Sequence, residues 1–246
     1  MQKVKIQFSS RVLGLFDVKE LRPQRAKKFI PEEWKKIPSK HTNEEDSPYK
    51  YNLLRLDATA KSCPSFIHLW EEGYVLVAPC DISIRENVWE TALPEVQLST
   101  HPNYQYIDHV DSDFSVVHKI DNVWLCKTPK GYSIRQIPLL WHSDLNFEVA
   151  YGIIHTDQWH EINPQIMIKK GVKEVFIKQG DPLCYILPYK RIDTELEVVD
   201  FNEKEYATSV IKNMGKFKNP YLKRFNILNP RWCDIIPWWI MLSALY

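Results

Sequence analysis

Glycine is scarce in this chain, seven residues in 246, whereas proline is plentiful at sixteen. That shortage argues against long flexible linkers, so turns must come largely from Pro, Asn and Asp. No G-x-G-x-x-G or Walker pattern occurs, which removes the common dinucleotide and P-loop classes. A Ser or Cys nucleophile elbow is also missing, and Ser143 beside His142 forms no dyad by adjacency. The five cysteines (Cys63, Cys80, Cys126, Cys184 and Cys233) are odd in number, far apart and without a Cys-x-x-Cys pair. Zinc knuckles and disulfide frameworks are therefore disfavoured, and buried free thiols in a reducing compartment are expected. Charge of one sign is lacking too. A formal net charge of +1 gives no broad basic face for nucleic acid. No apolar run approaches the ~18 residues of a membrane span. The first residues, Met1 to Phe8, lack the apolar core of a signal peptide, so a cytoplasmic protein without a membrane partner is expected.

What is present is material for a core, with 44% hydrophobic and 13% aromatic residues. Val4, Ile6 and Phe8 alternate with polar residues, the period of a strand with one buried face. Ile30 to Lys36 predicts a short helix, with Pro31 at its start and Glu32 and Glu33 suited to the positive end of its dipole. Pro64 to Glu72 places Phe66, Ile67, Leu69 and Trp70 near helical spacing, and Gly73 stands where a helix end often takes positive φ. Tyr74 to Cys80 is a wholly apolar run of strand length, kinked at Pro79 and continued by alternation to Arg85.

From Val88 to Lys119 the signals are weak. Short strands then recur with turns between them, over 122–128, 132–140, 147–154, 162–168, 172–177 and 183–187, and Gly152 reads as a place of close backbone approach. Leu196, Val198 and Phe201 suggest one strand more, and Asn202 to Met214 a helix capped by Asn202. The fold class is mainly β, a sandwich or barrel with a few short peripheral helices and one C-terminal helix. One β-rich domain over 1–200 is expected, its core at 120–191 and a helix and buried strand contributed by 57–90. The remaining 201–246 would be a C-terminal helix and an aromatic tail. That tail, Pro230 to Tyr246, is apolar enough to pack on its own domain or a neighbouring chain, making it a candidate oligomer contact.

Chemistry-bearing residues concentrate between Trp124 and Arg191. His142, Ser143 and Asp144 form one group, and His155, Asp157 and His160 another. His142, Asp144, His155, Asp157 and His160 are ligand types suited to a divalent transition metal such as iron, manganese or zinc. Strand alternation gives His155 and Asp157 one face and His160 the other unless a bulge intervenes. The bland alternative is that all are turn and hydrogen-bonding groups at strand ends. A second set, His109, Asp111 and Asp113, reads more simply as a solvated turn.

Four segments in order resemble the pattern of dUTPase-like β-clip proteins: Thr128-Pro129-Lys130-Gly131-Tyr132, Leu140 to Leu145, Gly152-Ile153-Ile154-His155-Thr156-Asp157, and Phe176 to Leu183. The resemblance covers about a quarter of the chain and implies a β-clip scaffold, a homotrimer and a small nucleotide-like ligand. It also implies ligand-binding candidates at His142, Ser143, Asp144, His155 and Asp157. Departures from the family pattern are concentrated at the chemistry. The first Asp of its Gly-x-Ile-Asp, which orients the attacking water, is His155 here. The Arg that grips phosphate is His142, and the Gly after the motif's Ser is Asp144. A neutral imidazole holds phosphate less firmly than a guanidinium fork. The scaffold is therefore expected to persist as a binding or assembly protein without pyrophosphatase activity, the alternative being an enzyme of divergent nucleotide or metal-dependent chemistry.

Cys63-Pro64-Ser65-Phe66, Gly73-Tyr74, Pro79-Cys80-Asp81, Gly180-Asp181-Pro182 and Pro188-Tyr189-Lys190-Arg191 also resemble an uncharacterised family of tailed phages and bacteria. That likeness implies no activity. It implies a phage association, with the chain in the host cytoplasm or the virion.

Overall fold

The computed structural model describes residues 4–38, 59–85, 87–105, 108, 113–121, 123–142, 144–206 and 208. Two units result, Met1–Ile37 with Cys63–Ile192, and Pro38–Ser62 with Asp193–Tyr246. In the first, the early strands are β1 (Gln7–Ser10), β2 (Gln24–Arg25), β3 (Tyr74–Val77), β4 (Ile82–Arg85), β5 (Val88–Thr91), β6 (Gln97–His101) and β7 (Phe114–Asp121). The later ones are β8 (Trp124–Lys127), β9 (Tyr132–Pro138), β10 (Phe147–Val149), β11 (Gly152–Ile154), β12 (Glu161–Ile162), β13 (Gln165–Lys169), β14 (Glu174–Ile177) and β15 (Pro182–Lys190). Two helices accompany them, α1 (Glu32–Lys36) and α2 (Pro64–Glu72).

The fold is mainly β, but its strands form separate antiparallel sheets and not a closed barrel. Their orders are β1-β8-β12, β10-β13-β7-β6, β11-β9-β15-β3-β2 and β14-β4-β5. The apolar run from Tyr74 to Cys80 is explained by burial on both faces. Leu76 and Ala78 enter the main core with Ile82, Ile120, Trp124, Ile134, Ile166 and Ile186. Val75 and Val77 face the other way, into a second cluster with Trp34, Leu69, Trp70 and Tyr185. There α1 and α2 cover part of the five-stranded sheet, Trp34 meeting Trp70 edge-on at 4.4 Å and Trp70 Nε1 donating to Tyr185 Oη at 3.4 Å. The run is not one kinked strand, because β3 and β4 belong to different sheets with Ala78 to Asp81 between them. Pro188 sits in β15 beyond its last pair with β3, Ile186↔Tyr74, and opposite Ile134 of β9.

Several expectations are altered. β6 and β7 occupy the stretch with weak signals, and β7 hides its period because His118 lies fully buried beside Val116 and Val117. Its Nδ1 meets Thr100 Oγ1 at 3.0 Å, directly across the ladder. Residues 192–201 form no strand, and Leu196, Val198 and Phe201 are exposed. In the second unit Asn202 does cap a helical turn, its Oδ1 accepting the Glu205 N–H at 3.0 Å. The rest of that helix, the tail from Pro230 and Cys233 lie outside the described residues, as does the His109 cluster apart from Asp113. No helix among the described residues is long and apolar enough to cross a membrane.

Gly73 ends α2 without a left-handed turn, at φ −76°. Its need is steric, since a Cβ there would meet the Leu69 carbonyl oxygen at 2.5 Å, whereas a Cβ on Gly152 would meet nothing within 4 Å. Gly73→Ala is expected to destabilise by about 1–3 kcal/mol in urea unfolding, and Gly152→Ala to change stability by less than about 1 kcal/mol. Equal effects would contradict this account of α2's end.

Candidate functional site

The site is organised by the turn after β11. Gln158 N and Trp159 N both donate to the His155 carbonyl at 2.9 Å, closing a single helical turn between β11 and β12. Alternation does not operate in such a turn, so His155 and Asp157 do not share a face. His155 is exposed, while the Asp157 side chain is only 5% exposed. His160 is half-buried and its Nδ1 donates to the Thr156 carbonyl at 2.8 Å.

Asp157 is held on both oxygens. Arg191, just past the end of β15, donates from one guanidinium nitrogen to Oδ1 at 2.8 Å and from the other to Oδ2 at 2.5 Å. The Gly131 N–H adds a third bond to Oδ2, also at 2.8 Å. Gly131 can present that amide because φ is +82° in the turn that Tyr132 N closes on the Pro129 carbonyl. Arg191 further donates to Ser133 Oγ at 2.5 Å and to the Tyr132 carbonyl at 3.2 Å. Beneath them the buried Thr128 and Thr156 hydroxyls bond each other at 2.8 Å. The result is a bidentate, charge-assisted pair backed by a hydrogen-bonded hydroxyl network. Arg191, and after it the Gly131 amide, hold the Asp157 carboxyl well below the usual carboxylate range.

His142 and Asp144 lie elsewhere, on the loop between β9 and β10, and Ser143 between them is outside the described residues. Trp141 before them takes a left-handed φ of 64°, unusual for a bulky residue, and packs edge-on against Phe66 at 5.5 Å. Burial pushes the His142 imidazole toward its neutral form, opposed by Asp144 and Glu33. Its Nε2 is buried and finds no hydrogen-bond partner among the described residues. Asp144 is exposed. The metal candidates His142, Asp144, His155, Asp157 and His160 thus do not form one donor set. Among the described residues no three His, Cys, Asp or Glu are grouped to hold a metal ion.

Three of the thiols are equally unsuited to attack. Cys80, Cys126 and Cys184 are buried and free, and burial pushes Cys126 up to about 12. Residues that sequence reasoning left unconnected are Thr128, Gly131, Ser133 and Arg191. For Thr128, Gly131 and Arg191 the signal was present in the Thr-Pro-Lys-Gly and Pro-Tyr-Lys-Arg segments, which lie on two sides of one network.

No protein-family model matches the chain and no curated protein matches it, so the likeness to the uncharacterised phage and bacterial family gains no support. Among solved structures the chain is similar to dUTPases. For the dUTPase of Staphylococcus bacteriophage 80alpha the identity is 11%, with 81% of this chain and 98% of that chain covered at a TM-score of 0.35. The dUTPase from phage phi11 of S. aureus gives 12% identity over 54% of this chain and 85% of that one, with a TM-score of 0.31. The EIAV dUTPase gives 14% identity over 54% and 87%, with a TM-score of 0.32. At this level the likeness is one of β architecture and extends to no residue's role.

The pinned carboxylate fixes a pH response. Because the folded Asp157 titrates below its ordinary 3.8, its stabilising contribution is complete above that value and is lost as pH falls. Thermal unfolding of the wild type is expected to drop between about pH 4 and pH 2, while Asp157→Asn starts lower at neutral pH and has a flatter acid limb. Parallel acid limbs would show that Asp157 is not the group responsible.

Proposed function

We propose that this chain is a binding or assembly protein on a dUTPase-like β-clip scaffold, phage-associated and working as a homotrimer in the host cytoplasm or the virion. The observation that carries this reading is the position of Asp157. A carboxylate whose side chain is 5% exposed and which already accepts three hydrogen bonds is poorly placed to orient water, and its lowered pKa makes it a weak proton acceptor. The residues around it support the same reading. His155 replaces the motif's first carboxylate and is exposed, and the imidazole of His142, driven neutral by burial, offers phosphate no fork. Asp157 then acts as a rivet for the scaffold, and function belongs to the surfaces the scaffold presents.

The competing reading is an enzyme of divergent nucleotide or metal-dependent chemistry. It draws on the density of His142, Ser143, Asp144, His155, Asp157 and His160, and it needs side chains from two separate loops to act together.

Two measurements divide these readings. Light scattering is expected to give a mass three times the 29.2 kDa of the chain, and a monomer would overturn the assembly reading. A panel of dNTPs, each with and without Mg2+ or Mn2+, is expected to leave the melting temperature unchanged. A ligand at a hundred times its Kd would add about 2.7 kcal/mol and raise the melting temperature visibly. Such a rise, lost in His155→Ala, would favour the enzyme.

A further inference from the structure

On the outer side of the β1-β8-β12 sheet lies a groove of about 620 Å3. Strand register builds its floor. Gln7 stands opposite Lys127, and Ser9 opposite Leu125, which in turn faces Glu161 of β12. Along β8 the alternate residues Trp124 and Cys126 point into the core. The wall of the groove is the turn carrying Gln158, Trp159 and His160. Asp157 is pinned inward by Arg191 and Thr156 by Thr128, and the next two residues are left outward. Trp159 is consequently 62% exposed, an unusual position for a residue type that is highly buried on average.

The polar lining of the groove divides between neutral groups that both donate and accept and charged ones. Gln7 and Gln158 each carry amide donors and a carbonyl acceptor, and Ser9 both donates and accepts through its hydroxyl. Arg11 and Glu161 add donors and acceptors, but as an ion pair at 2.5 Å they largely neutralise each other. Only Lys127 adds a further cation to the lining.

We propose that this groove is a carbohydrate-binding site. One pyranose ring lays its C–H face on the Trp159 indole, and its hydroxyls exchange hydrogen bonds with Gln7, Ser9 and Gln158. A sugar hydroxyl is donor and acceptor at once, which matches groups that are both. The volume lies within the roughly 300–1,000 Å3 of small-molecule sites. A flat aromatic anion would be better served by several free cations than by one lysine beside a neutralised arginine. Because the turn is already fixed by Asp157 and Thr156, little ordering entropy is lost on binding. The proposal is independent of the assembly reading, since it uses neither the His142 loop nor an oligomer contact.

The test is saturation-transfer NMR on the full chain with methyl α-glucoside, methyl β-galactoside and N-acetylglucosamine, and with phenyl phosphate as a contrasting probe. At least one sugar is expected to bind saturably with a Kd on the order of 1 mM. Trp159→Ala should weaken it at least about tenfold and Gln158→Ala severalfold. Both residues are exposed, so both variants should melt with the wild type. No saturable signal from any of the three sugars would overturn the proposal, as would wild-type affinity in Trp159→Ala. Saturable phenyl phosphate binding with silent sugars would overturn it in favour of an aromatic anion.

Discussion

The Asp157–Arg191 pair is the constraint on which the site depends. It joins the turn after β11, the turn between β8 and β9 through Gly131, and the chain leaving β15. These segments are separated in sequence, and backbone bonds from Arg191 N to the Gly131 carbonyl at 2.7 Å and from Thr128 N to the Thr156 carbonyl at 3.4 Å join them as well. Removing either partner leaves the other charged group in a largely enclosed place, which costs more than the pair itself contributes. Secondary bonds to Ser133 and the Tyr132 carbonyl fix the guanidinium plane, so the carboxylate has one geometry.

That arrangement has two consequences for function. A carboxylate occupied on both oxygens is placed to serve structure, while His155 turns outward, His160 is half-buried against the Thr156 carbonyl and His142 sits on another loop. The pin also decides what the outside of the turn presents, because holding Thr156 and Asp157 inward exposes Gln158 and Trp159. The same interaction that ties Asp157 inward thus goes with an exposed aromatic side chain, Trp159, on the exterior.

Legibility in the sequence followed the reach of each signal. The α2 helix was readable from Pro64 at its start and the Phe66, Leu69, Trp70 spacing, all of which act within two turns. The strands from Trp124 onward were readable from turns and alternation in position but not in number, since 147–154 and 162–168 each divide into two strands of different sheets, β10 and β11, and β12 and β13. β7 was not, since His118 occupies a core position and breaks the period, its polarity answered by Thr100 on a neighbouring strand. The split between β3 and β4 was also hidden, because a run buried on both faces looks the same whichever sheet it enters. At the site, Asp157 was singled out but its partner was not. Local alternation cannot say where β15 ends in space, and its use across residues 155–157 failed because they form a turn.

The central claim is that Asp157 is a structural rivet coupled to Arg191. The most direct measurement is a double-mutant cycle in denaturant unfolding with Asp157→Ala, Arg191→Ala and the double variant. The account predicts that each single variant is clearly destabilised and that the double variant is little worse than the more damaged single one. Additive losses in the double variant would contradict it.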